Sequence, residues 1–321
     1  MAVTLAQSAN LSLNTLQRGV IETFVELSPI LDRLPLMEVE GNAYAYNEEA
    51  SLPAVAFRAV NGSYTEATGT VNQKTEILTI LGGDAYVDRF IEQTRSNFND
   101  QRAVQTRLLA KSAVQRFQWQ FFNGDSSSDA NSFDGLKKRL TGGQVLTAGT
   151  NGLPVVGNGT TDCDAFFDQL DQLINAVRLS GGGDPDAMYA NSSIMTKIRG
   201  AMRRKLLYQN SAGVDQFGKT AVVYNGIPIL DAGLDGQGNL SLPQTETQGT
   251  SAGICSSIYA VKWGQGEGDI GVTGLTNGGV SVRDLGELQT KPSYATRIEF
   301  YVGMAIFNGK SAARLQGILN S

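Results

Sequence analysis

Between Met37 and Ile77 the chain reads EVEGNAYAYNEEASLPAVAFRAVNGSYTEATGTVNQKTE, roughly forty residues that alternate like a β-strand but carry few large apolar side chains. Tyr44 and Tyr46 alternate with alanines on one arm, and Val55, Phe57 and Ala59 alternate with Ala56 and Arg58 on the other, with Pro53, Asn61-Gly62 and Gly69 as punctuation. Such a ribbon cannot close a core of its own, and a solitary hairpin is marginal in water. It needs a surface to lie on. A disordered surface loop is the alternative reading of the same residues.

The segments around it are more regular. Leu16, Val20, Phe24 and Leu27 recur at steps of three and four, one face of an amphipathic helix. Ser28-Pro29 then predicts a short helix over Pro29 to Arg33, ended by Pro35. This N-terminal arm is expected to lie on something outside itself. Ile77 to Leu81, Gly82-Gly83 and Ala85 to Ile91 read as a strand, a bend and a second strand. A long helix is expected from Ser96 to Asn123, capped by Ser96 or Asn97 and closed by Asn123-Gly124. It is apolar on two sides, with Ala103, Ala110, Val114, Phe117 and Phe121 on one stripe and Val104, Leu108, Trp119 and Phe122 on another.

Phe133 to Leu140 reads as a short helix or turn, and the Gly, Thr and Asn of Gly142 to Thr161 as a linker. Beyond it the pattern is mixed α+β. Helices are expected over Asp164 to Leu179 and from Ser192 or Ser193 to Tyr208, with a strand at Ala187 to Ala190 between them. Asn225-Gly226, flanked by Ala221–Tyr224 and Ile227–Leu230, is a strong hairpin signal. Strands are expected over Ser257–Trp263, Ile270–Val272, Val280–Leu285 and Tyr294–Ile306.

The chain of 321 residues has no histidine, which removes the Ser-His-Asp and Cys-His arrangements and imidazole metal sites. Cys163 and Cys255 lie far apart without CxxC spacing and read as buried small hydrophobes. A formal net charge of −5 argues against a protein whose main task is to neutralise phosphates. No run approaches the ~18 apolar residues that span a bilayer, so no membrane is expected. Asp162, Asp164, Asp168 and Asp171 read as a solvated helix face, and Asp231 to Asn239 as a turn rather than a calcium loop. Gly213 to Thr220 matches GxxxxGK[ST], yet a basic helix precedes it and β-patterned residues follow, the reverse of a phosphate loop. The basic runs Lys137-Lys138-Arg139 and Arg203-Arg204-Lys205 read as solvated faces, with intersubunit salt bridges or contact with internal nucleic acid as the alternatives.

In order and spacing, SPILDRLP (Ser28 to Pro35), LPAVAFRAVNGSYTEATGT (Leu52 to Thr70), ILGGDAYVDRFI ending at Ile91, NDQRAVQTRLLAKS (Asn99 to Ser112), FNGD (Phe122 to Asp125) and FDGLKK (Phe133 to Lys138) resemble tailed-bacteriophage major capsid proteins of the Hong Kong 97-like fold. The resemblance implies an α+β fold with an N-terminal arm (1–37), an extended loop (38–76), a peripheral domain (77–150) with spine helix 96–123, an axial domain (151–293) and a closing strand (294–321) that returns to the peripheral domain. It implies a structural, non-enzymatic shell subunit without cofactor or metal, assembled from many copies as pentamers and hexamers around double-stranded DNA. A separate scaffolding protein, a portal and a decoration protein are the further partners it implies, with the virion as location and the host cytoplasm as the place of assembly. Intersubunit contacts are expected at Phe57, Arg58, Tyr64 and Glu66 of the loop, Phe24 of the arm, and Arg107 and Trp119 of the spine helix. No lysine lies between Pro35 and Gln73, and the plausible tip carries Arg58, so a lysine-based cross-link between subunits is not expected. The rival readings are an encapsulin-type compartment and, remotely, a nucleotide hydrolase using Lys219.

Overall fold

The computed structural model describes residues 15–51, 53–95, 101–157, 160–178, 183–205, 212–214, 220–266 and 269–321. In chain order, α1 (Thr15–Leu27) leads into β1 (Leu36–Glu38), β2 (Ala43–Ser51), β3 (Thr70–Ile77), β4 (Thr79–Asp88), α2 (Arg89–Arg95) and α3 (Gln101–Asn123). Next come α4 (Leu136–Arg139), β5 (Val145–Thr147), β6 (Leu153–Pro154), α5 (Thr160–Val177), β7 (Ala187–Ala190), α6 (Ser192–Arg204), β8 (Ala212–Val214) and β9 (Thr220–Tyr224). The remaining strands are β10 (Ile227–Asp231), β11 (Cys255–Val261), β12 (Val272–Glu287), β13 (Ser293–Ile306) and β14 (Ala312–Leu319).

The described part of the arm, from Thr15, belongs to the chain's own core. Val20, Ile21 and Phe24 of α1 are buried, and Phe24 meets Phe300 edge to face at 6.3 Å. Phe24 therefore presents no surface to a neighbour, which corrects its expected role as an intersubunit contact. Ile30, Leu31 and Leu34 are buried in the same cluster. They sit on tight turns rather than the expected helix, with Leu31 N donating to Ser28 Oγ at 3.2 Å and Leu34 N to Ile30 O at 2.8 Å.

One sheet has the order β1-β12-β13-β4. β12 and β13 form a long antiparallel pair from Val272↔Ile306 to Glu287↔Tyr294, and β1 adds in parallel, Leu36 opposite Gly274. Gly82-Gly83 does not bend the chain. β4 runs straight through it, with Gly83 opposite Ile298 and Gly82 opposite Glu299, and a Cβ on Gly82 would collide with the Ile298 carbonyl oxygen. A missing side chain here permits close backbone approach, not a turn. Phe90 and Ile91 belong to α2 rather than to a strand.

The second sheet has the order β5-β14-β11-β7-β10-β9-β8, with β6 also on β14. The expected linker from 142 to 161 is woven into it, since β5 and β6 pair in parallel with β14. Asn225 and Gly226 both take positive φ, 50° and 79°, in the two-residue turn between β9 and β10. Helix α6 is capped by Asn191, whose side chain accepts from Ile194 N at 2.8 Å, one residue before the expected cap. Helices α5 and α6 bury Phe166, Leu170, Leu173, Ile194 and Ile198 on one face of this sheet. The opposite face meets α3. Phe122 packs 5.7 Å from Tyr189 and 5.1 Å from Tyr259, while Phe117 lies 6.2 Å from Phe300 of the first sheet. A single helix thus wedges both sheets, which is why it is apolar on more than one side. Its expected start at Ser96 or Asn97 lies outside the described residues, as do Leu179 and Tyr208.

Candidate functional site

The ribbon forms a hairpin with an ordered root and a bare tip. β2 and β3 pair antiparallel from Ala43↔Ile77 to Ser51↔Thr70, with an irregularity between Glu49 and Ser51. Tyr44 and Tyr46, two residues apart, share a face and stack at 6.4 Å, and both contact Phe307 at the end of β13, at 6.2 and 5.1 Å. Tyr46 joins Val39, Leu275, Ala305 and Phe307 in a small core of its own. Burial, reinforced by the nearby Glu76 carboxylate, pushes its phenol up to about 12.

Charged groups clamp the root. Arg139 of α4 grips Glu76 of β3 with both guanidinium nitrogens, Nη2 reaching Oε2 at 2.6 Å and Nη1 reaching Oε1, while its Nε donates to Asp134 O at 2.6 Å. Lys74 pairs with Glu48 at 2.5 Å, and Glu48 Oε1 accepts from Gly309 N at 2.8 Å. Sequence reading missed this clamp. Lys137-Lys138-Arg139 looks like a solvated run, and only the fold shows that Arg139 faces inward; Lys138 meanwhile bonds Asp125 at 2.6 Å and Asp134 at 2.9 Å.

From Pro53 to Gly69 the expected strand arms are absent and the backbone is irregular. The strand pattern fails there because no partner among the described residues covers either face. Val55, Phe57 and Val60 are 94%, 107% and 92% exposed, and Tyr64 is 68% exposed. A local turn holds the tip: Gly62 N donates to Ala59 O at 3.0 Å, Arg58 Nη1 donates to Gly62 O at 3.2 Å, and the Arg58 guanidinium lies 5.3 Å over the Tyr64 ring. Glu66 is exposed on the same segment. The structure therefore brings Phe57, Arg58, Tyr64 and Glu66 together on one protrusion. Arg107 is exposed on α3 well apart in sequence, and Trp119 is half-buried beneath Arg116 at 5.0 Å. Elsewhere on the surface, Ile80 and Tyr86 of β4, Phe90 of α2 and Leu108 of α3 are each more than half exposed.

Catalytic geometry is not found where the motifs suggested it. Gly213 and Val214 pair with Ala221 and Thr220, so the GxxxxGKT stretch connects two antiparallel strands; Lys219 itself lies outside the described residues. A phosphate loop must open a helix whose N–H groups hold the anion, and β9 is no helix. Among the described residues, no group of three His, Cys, Asp or Glu side chains is placed to hold a metal, and no helix is long and apolar enough to cross a membrane. Cys163 and Cys255 are free and buried.

A family model described as Major capsid protein GP7 matches residues 14–167, the arm, hairpin, spine helix and start of α5. No curated protein matches in sequence. Among solved structures, the chain is similar to the SrpI encapsulin of Synechococcus elongatus, with TM-score 0.63, 18% identity, and 92% of this chain and 89% of that one covered. It is similar to Microbacterium phage Oxtober96, with TM-score 0.59, 14% identity and 91% and 90% coverage. It is similar to the capsid of a native GTA particle, with TM-score 0.57, 15% identity and 96% and 92% coverage. The chain thus has the Hong Kong 97-like capsid fold, and its first half carries the pattern of the GP7 major capsid proteins.

Proposed function

We propose that this chain is the shell subunit of a tailed bacteriophage, many copies of which close into an icosahedral container for double-stranded DNA. The exposed tip carries the reading. Phe57, Val55 and Val60 stand almost wholly in water on a segment whose root is clamped, and burying one such side chain is worth about 1.5–3 kcal/mol. Laid on a neighbouring copy, the tip makes a heterologous contact, the kind that closes into rings of five and six. Arg58, Tyr64 and Glu66 would contact the neighbour with it, and Arg107 and Trp119 would do so from the spine helix. With Arg58 where a lysine would be needed, the shell holds together without that covalent link.

The peripheral unit in this reading unites α3 with β4, β12 and β13, and the axial unit takes β14 as well as 145–261. This division follows the sheets and differs from cuts at 150/151 and 293/294, because β12 joins the peripheral unit while β5 and β14 join the axial one. Copies of itself are the main partner; a scaffolding protein, a portal and a decoration protein complete the set, with assembly in the host cytoplasm and residence in the virion. No catalytic role is assigned.

The likeness to the SrpI shell favours one second reading, a cellular compartment filled with enzymes. Electron microscopy of particles formed by the purified chain, followed by nuclease treatment and mass spectrometry of particles from infected cells, tests both. Uniform shells protecting DNA of one length support the phage reading. Shells that carry a stoichiometric enzyme and no DNA support the compartment. A chain that stays monomeric at high concentration overturns both.

A further inference from the structure

The outer surfaces of α5 and α6, side by side on one face of the large sheet, are charged with opposite sign. On α6, Lys197, Arg203 and Arg204 line an open groove of about 520 Å³ together with Thr196, Gly200 and Val156. None of these three cations forms an ion pair among the described residues. On α5, Asp164, Asp168 and Asp171 recur at steps of four and three and all face outward. Asp164 pairs with Lys205 within the chain, Asp171 accepts from Tyr224 Oη at 3.0 Å and Asn225 Nδ2 at 3.1 Å, and Asp168 has no hydrogen bond or ion pair among the described residues. Each stripe spans eight residues, and its seven rises of about 1.5 Å make about 10 Å of helix, so the two match in length as well as in sign.

Gly200 adds an independent observation. A glycine inside a helix costs about 1 kcal/mol relative to alanine. The nearest atom among the described residues to a Cβ built on Gly200 is Val156 Cγ2 at 3.8 Å, an ordinary contact, so none of them requires the missing side chain. What the glycine does is keep the floor of the basic groove low, between Lys197 and Arg204.

We propose that this groove seats the acidic face of α5 from a second copy of the chain, giving a charge-matched, head-to-tail seam between subunits. The proposal rests on the shell reading above and assigns it a specific contact. A second copy fits better than nucleic acid. Three cations are few for a phosphate backbone, and the aspartates on the neighbouring helix would repel it, whereas the same aspartates complement the groove of another subunit. Exposed pairs of this kind contribute modestly one by one but fix register and partner choice when several act together.

The test is assembly of the full chain with Arg203→Glu and Arg204→Glu together, both side chains exposed, with circular dichroism and melting to confirm folding. We expect the critical concentration for shells to rise by about tenfold or more, equivalent to about 1.4 kcal/mol. Adding Asp168→Arg and Gln172→Arg should recover most of the loss. Gly200→Ala, which should fold at least as well as the parent, should also weaken assembly. Shells from the parent and the double variant at the same concentration, or a double variant that assembles normally but fails to retain nucleic acid, would overturn the seam and leave the shell reading intact. Absence of shells from the parent itself would overturn the shell reading, and the seam with it.

Discussion

Replacing Arg139 by methionine keeps the aliphatic stem but removes the fork that holds Glu76. Both side chains are largely dry, at 14% and 16% exposure. The variant therefore leaves a carboxylate facing the Tyr46 hydroxyl at 3.4 Å with its strongest donors gone. Hydrogen bonds to charged groups contribute about 1.5–3 kcal/mol each; with two lost and partial rescue by water, about 3 kcal/mol is the expected cost. That cost is local, because Glu76 belongs to β3, whose only strand partner among the described residues is β2. At 1.36 kcal/mol per decade, amides within Ala43–Ser51 and Thr70–Ile77 should exchange about 100-fold faster with solvent. Those of β13, paired on both sides, should hold and serve as the internal standard. Losing the guanidinium should also carry the Tyr46 titration above its present value of about 12, since Arg139 now lowers it. Unchanged exchange in the hairpin, or an equal acceleration in β13, would refute the clamp as the root's anchor.

Phe57→Ser should leave the melting temperature of the unassembled subunit unchanged, because the side chain touches nothing that its loss would disturb, while abolishing or sharply weakening shell formation; a destabilised monomer would contradict the exposed tip. Gly82→Ala should lower the urea midpoint by an amount equivalent to about 2–4 kcal/mol, since its Cβ meets the Ile298 backbone, and an unchanged midpoint would show that β4 and β13 are less closely apposed. The Arg297 hydrogen bonds hold Asp84 below its ordinary carboxylate range. Its contribution to stability is thus complete above the unfolded value of about 3.9 and is lost as pH falls through the lower folded value. Urea midpoints measured down the acid limb should fall less steeply in Asp84→Asn than in the parent, and parallel curves would count against the pair.

Local chemistry made some of this structure legible before the fold was known. Asn225-Gly226 forces a two-residue turn whatever surrounds it, and the stripes of α3 point to two layers because a helix buried on one side has no use for Phe122 beside Phe117. Other elements turn on partners distant in sequence. Gly142 to Thr161 has the composition of a linker, yet β5 and β6 become strands because Ala312 to Leu319 lies beside them. That last strand passes unnoticed in the sequence, since Arg314 and Gln316 interrupt its apolar pattern; Arg314 is buried through its bonds to Glu246 at 2.6 Å and Ser257 at 2.9 Å. The converse holds for Val55 to Ala59, where alternation is present and the partner strand is not. Phe24 is misplaced for a related reason: periodicity identifies an apolar face but not which molecule it faces. The clamp at Arg139 and the low floor at Gly200 leave no mark in the sequence, because each depends on what stands opposite.

The pairing of β5 and β6 with β14 bears on how the chain is made. Ribosomes deliver residues 145–154 long before 312–319, and β1 waits likewise for β12. Until those late segments emerge, both sheets lack interior members, and contacts so far apart in sequence form slowly. A nascent chain therefore cannot present a finished subunit while most of it is still being translated, so premature association on polysomes is discouraged by connectivity alone.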